Sequence, residues 1–295
     1  MTERSFSLEP SAAANRPVRK PLVQWRHIPS YLLLGAWSIF TICALSWVVL
    51  ASVKTNREVF REPFAIPAEP QFVNYDRVWS NSQVGQAFAN SLITVGTSVV
   101  LILVVSAPAA YILSRAEFKG RGLLTMVYIA GIGIPYPLLF IPLFALLAGL
   151  RLNNSIPGLV LIYVSLSIPF TVYILTGFFS TLPQELEDAA KIDGATDFQV
   201  FSRVMLPLAA PGLLTATIFN FIGLWNEFQL ALIFIQEPDL RPLSLSLYTL
   251  KNSMTYSGDW AGLFAGVVIV VVPTVILFVI LSERMISGMT LGSVK

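Results

Sequence analysis

The chain has 295 residues, of which 55% are hydrophobic and only 12% are charged, with a formal net charge of +2 and a mean hydropathy of +0.71. A soluble domain normally carries about twice this fraction of charged residues, so the composition excludes an ordinary soluble enzyme and predicts a membrane protein. One cysteine and one histidine exclude an internal disulfide and the usual metal sites, and no Gly-Lys-Ser or Gly-Lys-Thr loop is present to bind ATP.

Six apolar runs each exceed the roughly 20 residues that a helix needs to cross a bilayer. They cover residues 30–53, 87–113, 123–150, 156–179, 212–235 and 261–281. The chain is therefore predicted to have an N-terminal tail over 1–29, a six-span domain over 30–281 and a C-terminal tail over 282–295. The expected fold class is an all-α membrane protein with six transmembrane helices and one helix-turn-helix loop at 183–207.

The lysines and arginines predict which way the chain crosses the membrane. Segments on the side of the two termini hold 12 of these residues, and segments on the opposite side hold 7. Because basic residues are enriched in cytoplasmic loops, both termini and residues 183–207 are predicted to be cytoplasmic. The basic residues are too dispersed for a nucleic-acid surface, so no nucleic-acid partner is expected.

Residues 183–207, here called the polar insert, interrupt the apolar chain. A proline at 183 suits the first turn of a helix, and three acidic residues suit its positive end: Glu185, Glu187 and Asp188. Gly194 can end this helix in a left-handed conformation. Thr196 followed by Gln199 matches a capping box and predicts a second helix start.

Small side chains in the polar insert predict that another surface approaches its backbone closely. They are Ala189, Ala190 and Ala195, and Asp193 beside Gly194 forms the corner between the two helices. This composition is typical of a docking surface and not of a catalytic centre.

Glu227 is the only charged residue within a predicted span. A carboxylate facing lipid is costly, so Glu227 is expected to face a cavity, a partner or water. Helical spacing places Ala216, Asn220, Gly223 and Glu227 on one stripe, whereas Trp225 and Glu227 cannot point the same way.

Two interpretations of this span remain open. Polar groups and a nearby indole at Asn220, Trp225, Asn226 and Glu227 suit a sugar pathway, because amides and carboxylates bind hydroxyl groups and an aromatic face binds a pyranose ring. Alternatively, the small residues allow a neighbouring helix to pack closely, and the polar groups hydrogen-bond to it.

The polar insert resembles the cytoplasmic coupling loop of permeases from ABC importers. The matching residues are Asp188-Ala189-Ala190, Asp193-Gly194-Ala195 and Leu206-Pro207, with Asp188 where the pattern most often has Glu. The runs at 225–228 and 287–295 are similar to those of carbohydrate permeases of the MalG type.

This resemblance implies a multi-pass subunit of the bacterial cell (inner) membrane that moves a sugar and is not itself an enzyme. It implies separate ATPase subunits that bind ATP and Mg²⁺, a second permease subunit and an extracytoplasmic solute-binding protein, with no cofactor on this chain. Residues 185–195 would contact the ATPase. Two outer segments, 54–86 and 236–260, are candidates for contact with the binding protein, the second being the better one.

Two other functions are alternatives to a sugar permease. A secondary transporter could couple to protons through Glu227, but neither inverted repeats nor a second charge within a span is evident. An intramembrane enzyme would rest on one carboxylate without a histidine or metal partner.

Overall fold

The computed structural model describes residues 28–81 and 83–291, with backbone alone at 81, 254–257 and 281–291. Within these ranges every regular element is a helix. The described residues up to 47 and those from 48 onward belong to two separate units, and the elements that matter below belong to the second. All but the last two residues of the predicted N-terminal tail lie outside the described ranges, and the predicted C-terminal tail is helical as far as Leu291.

In the described ranges, four helices are long and apolar enough to cross a membrane unbroken: α1 (Ile28–Ser52), α4 (Val84–Arg115), α7 (Ile156–Thr181) and α14 (Trp260–Leu291, with its apolar part at Trp260–Ile280). The shorter α-helices are α2 (Asn56–Arg61), α3 (Val73–Asn81), α5 (Arg121–Ile132), α6 (Phe140–Gly149), α8 (Glu185–Ile192), α9 (Asp197–Gln199), α10 (Leu206–Leu208), α11 (Ala210–Trp225), α12 (Gln229–Phe234) and α13 (Leu243–Ser257). Two 3₁₀ turns cover Tyr136–Leu139 and Pro238–Leu240, and a π-helical turn covers Val200–Met205.

The third predicted span is not one continuous helix. Its two halves, Arg121–Ile132 and Tyr136–Gly149, meet at an angle of 102°. Pro135 and Pro137 lie at this break, and each lacks a backbone N–H and restricts the residue before it. The prolines therefore turn an apolar run of spanning length into a broken span.

The fifth predicted span is also broken. Helix α11 begins at Ala210, ends at Trp225 and meets the preceding helical segment Asp197–Leu208 at 72°. Three residues then separate it from α12, so a single helix over 212–235 was a wrong prediction. With each bent pair counted as one span, the described residues contain up to six spans.

Helices α4 and α7 form the centre of the second unit. Ile102 on α4 packs with Val160 and Val164 on α7, and half of the apolar part of α7 is buried. Inside a bilayer such packing depends on close van der Waals contact because lipid tails are as apolar as the side chains. One end of this pair, around Tyr111 and Phe179, carries the polar insert.

Candidate functional site

The polar insert folds as the capping signals predict. Helix α8 spans Glu185–Ile192 and ends at a turn in which Gly194 has φ +82° and donates its N–H to Lys191 O at 3.0 Å. Glycine adopts this left-handed conformation without the steric penalty of a Cβ. The predicted glycine cap is confirmed, although the helix begins two residues after the proline at 183.

The second helix start is confirmed as well. Gln199 N donates to Thr196 Oγ1 at 3.3 Å, and Thr196 N donates to Gln199 Oε1 at 2.9 Å, which completes the capping box. Helix α9, the π-helical turn and α10 follow without a loop. The insert is therefore a helix-turn-helix unit with a fixed corner.

Glu187 faces the protein interior. Its carboxylate is buried, lies 3.1 Å from Arg115 Nε as an ion pair, and accepts a hydrogen bond from Tyr111 at 3.3 Å. Arg115 also donates to the carbonyls of Phe179, at 2.6 Å, and Leu182. Glu187, expected on the docking surface, instead attaches α8 to the ends of α4 and α7.

The small residues divide between two surfaces. Ala190 and Ala195 are half-buried and pack against the chain's own core around Val200 and Met205. Ala189 is exposed, and a Cβ at Gly194 would meet no atom within 4 Å. Two of the three alanines thus pack the insert against the core of its own chain, because the small side chains let the helix-turn-helix lie close to α4 and α7.

Two large apolar side chains stand out from the corner of the insert. Ile192 is 86% exposed and Phe198 is 75% exposed. The same insert also exposes the polar residues Glu185, Asp188 and Asp193, and Lys191 forms an ion pair with Asp197 at 3.8 Å. Neither residue was among the predicted site residues, although their position on either side of the turn glycine Gly194 indicates that they lie at the exposed corner.

The second predicted site centres on Glu227, which lies in the break between α11 and α12. Its carboxylate accepts hydrogen bonds from Leu230 N at 2.6 Å, Ala231 N at 3.1 Å and Tyr163 Oη at 2.7 Å. Its carbonyl accepts one from Ser244 Oγ at 2.5 Å. Glu227 is thus a cap for the start of α12, and the predicted helical stripe ends before it.

A cavity of about 270 Å³ adjoins this carboxylate. Polar groups and aromatic rings line it, including Tyr136, Tyr163, Ser167, Phe170, Phe219, Asn220, Gly223 and Glu227. Three of the four stripe residues therefore do meet at one cavity, whereas Ala216 is buried in the core near Tyr111. The amide of Asn220 donates to Thr171 Oγ1 at 2.9 Å.

Trp225 and Asn226 lie outside this cavity. Trp225 is 1% exposed, stacks on Phe221 and donates from its indole to Val270 O at 3.0 Å. Asn226 donates to Ile222 O at 2.8 Å. Neither side chain lines the cavity that adjoins Glu227.

In the part of the chain that the structure describes, no three histidine, cysteine, aspartate or glutamate side chains are grouped so as to hold an ion.

Residues 102–286 match the family described as binding-protein-dependent transport system inner membrane component. This chain belongs to that family. It is therefore a permease subunit of a transport system and a multi-pass membrane protein. The match includes both the polar insert and the Glu227 cavity.

Individual relatives agree with this assignment. The diacetylchitobiose uptake system permease protein NgcG of Streptomyces coelicolor is 37% identical over 90% of this chain and 88% of its own length. The sulfoquinovosyl glycerol transport system permease protein SmoH of Agrobacterium fabrum is 36% identical over 84% of this chain and 87% of its own. A solved bacterial ABC transporter that imports the acidic polysaccharide alginate shares the fold, with a TM-score of 0.76 at 22% identity, over 90% of this chain and 99% of that one.

Glu227→Gln is expected to destabilise the segment between α11 and α12, which the hydrogen bonds of the Glu227 carboxylate hold in place. A glutamine keeps one acceptor oxygen, so at least one of the three hydrogen bonds is lost, at a cost of about 1–3 kcal/mol. The measurement pairs thermal unfolding of the purified chain with sugar uptake, and Tyr163→Phe, which removes one donor, is the control. Equal losses in both variants favour a packing role, and a loss of uptake at unchanged stability in Glu227→Gln alone favours a role in the pathway.

Proposed function

We propose that this chain is the sugar-conducting permease subunit of an ATP-driven importer in the bacterial cell membrane, with six spans and both termini in the cytoplasm. Its relatives are permeases for diacetylchitobiose and sulfoquinovosyl glycerol, and it has no nucleotide-binding loop of its own. The partners are then ATPase subunits that bind ATP and Mg²⁺, a second permease and an extracytoplasmic binding protein. The proton-coupled alternative finds no support among these relatives.

The observation that carries the proposal is the two-sided construction of the polar insert. Its inner side is fixed to α4 and α7 through Glu187 and Arg115. Its outer side exposes Ile192 and Phe198. Large apolar side chains within a polar rim are the usual anchors of a protein interface. The proposed partner is the ATPase subunit.

The residues of the insert take different roles in this proposal. Ile192 and Phe198 enter the ATPase surface, and Glu185, Asp188, Ala189, Asp193 and Gly194 form the rim around them. Glu187 transmits movement inward, since a rigid displacement of α8 pulls on Arg115 and on the carbonyl ends of α7. Ala190 and Ala195 keep the insert seated on the core.

The Glu227 cavity is the proposed sugar contact of this subunit. Its volume of about 270 Å³ suits one pyranose ring, and its hydroxyl, amide and aromatic groups are of the kind that bind sugars. Glu227 and Tyr163 shape its wall, and Asn220 contributes from α11. Trp225 and Asn226 serve the fold around it.

The test of the ATPase contact is the double variant Ile192→Glu with Phe198→Glu. Loss of two anchors is expected to reduce copurification of the ATPase by at least about tenfold, the change that corresponds to about 1.4 kcal/mol. The control Lys191→Gln changes a charge on the exposed side of the same helix, where rim contacts contribute little. Retention of the ATPase by the double variant would place the interface elsewhere.

A further inference from the structure

A closed loop follows α1 at residues 54–71. Gln71 N donates to Val53 O at 2.8 Å, so the chain returns to the point where it left. The Asn74 amide donates to the carbonyls of Ser52 and Lys54, both at 2.9 Å. These hydrogen bonds close the loop at its base.

The interior of the loop holds a charged side chain whose ammonium group has hydrogen-bond acceptors within the loop. Lys54 is 1% exposed, and its ammonium donates to Glu62 O at 2.8 Å and Pro63 O at 3.0 Å. Thr55 and Glu58 form a capping box that starts α2. A buried cation bonded to two carbonyls therefore holds the loop in one shape.

The outer face of the loop is apolar. Phe64 is 84% exposed and Ile66 is 82% exposed, and Phe60 and Phe72 are largely exposed as well. In a loop that faces water, charged side chains are exposed and aromatic rings are buried. This loop has the opposite arrangement, with a buried lysine and exposed aromatic rings. Exposed apolar clusters of this kind mark contact with a partner or with a membrane.

The position of the loop identifies the surface it meets. The Phe60 ring packs edge-on against Trp260 at 5.8 Å, and Asn56 Oδ1 accepts from Ala261 N at 2.9 Å. Trp260 is the first residue of the α14 span, and the loop starts two residues after α1 ends. Tryptophan at the end of a span is typical of the boundary between lipid and water, so the loop lies at that boundary.

We propose that the 54–71 loop inserts Phe64 and Ile66 into the headgroup region of the lipid bilayer. Three prolines at 63, 67 and 70 leave fewer backbone N–H groups without partners there, and the exposed Arg57 and Arg61 suit lipid phosphates. The loop would hold the ends of α1 and α14 at a fixed depth while other helices move. That this is the outer leaflet rests on the orientation in the proposed function.

Site-directed spin labelling tests the insertion in the full-length chain. Cys43 is the one cysteine, so Cys43→Ser gives a background into which Phe64→Cys or Ile66→Cys is introduced. Glu69→Cys, at an exposed polar position of the same loop, is the matched control. Labelled protein is reconstituted in nanodiscs of phosphatidylcholine and phosphatidylglycerol, and collisions with oxygen and with a water-soluble nickel complex are compared.

Labels at 64 and 66 are expected to collide with oxygen and to lose access to nickel, whereas the label at 69 keeps it. Nickel access at all three positions overturns the proposal. Nickel access at 64 and 66 that disappears only when the binding protein is added also overturns it and assigns the loop to that partner. The label measurement needs neither ATP nor sugar, so it is independent of transport. If the labels at 64 and 66 contact lipid but the protein does not take up sugar, the loop proposal stands and only the proposed function is refuted.

Discussion

Arg115→Met is expected to lower the stability of the permease by about 3–5 kcal/mol, because it leaves the buried Glu187 carboxylate without its cation. It also removes the donor to the carbonyls of Phe179 and Leu182. Thermal unfolding of the purified chain in detergent measures the loss. We expect uptake to fall as well, since α8 then keeps only the hydrogen bond from Tyr111 to Glu187 as its polar contact with α4.

Two further variants separate charge burial from general damage. The pair Arg115→Met with Glu187→Met removes both charges, and it should recover most of the loss because no unpaired ion remains. Lys191→Met breaks the exposed pair with Asp197, where a loss of only about 0.2–1 kcal/mol is expected. Should the double variant be no more stable than Arg115→Met, the ion pair is not what holds the insert.

Gly194→Pro is expected to abolish transport while leaving the membrane helices folded. Proline forces φ near −65°, against the observed +82°, and it deletes the N–H that donates to Lys191 O. The corner of the insert would open and separate Ile192 from Phe198. A tenfold fall in uptake corresponds to about 1.4 kcal/mol of lost docking free energy, and ATP hydrolysis should cease to respond to the loaded binding protein.

Gly120→Pro is the matched control for Gly194→Pro. Gly120 also has a positive φ, +96°, and also has open space around it, but it lies between α4 and α5, outside the proposed contacts with the ATPase and the binding protein. Both substitutions impose the same kind of backbone strain, so their stability losses should be similar. Normal coupling in Gly194→Pro, or an equal loss of coupling in both, would refute the role of the insert.

Local signals in the sequence predicted the polar insert well. The capping box at Thr196 and the glycine turn at Gly194 depend on contacts within about four residues, and such contacts follow from residue type. The pair of Arg115 with Glu187 joins residues 72 positions apart. Nothing in the local pattern indicates it, so the burial of Glu187 could not be predicted from the sequence.

Hydrophobicity alone misled the prediction of the fifth span. Residues 212–235 are apolar enough for one helix, but the Glu227 carboxylate captures the N–H groups of Leu230 and Ala231. A glutamate just before an apolar run also indicates a helix start. The prediction treated Glu227 only as a charge within a continuous span. In the third span, Pro135 and Pro137 carried a comparable signal.

The π-helical turn at Val200–Met205 has a consequence for how the family can vary. A π turn accommodates one residue more than an α turn, and each residue of an α-helix rotates the next by about 100°. Deleting one residue there would turn the chain that follows by about 100° about the axis of the Asp197–Leu208 segment and so displace α11, with Asn220 and Gly223, from the cavity. The shape of the proposed sugar contact thus depends on the length of a segment outside it, so gaps in an alignment of relatives should avoid this turn even where its side chains differ.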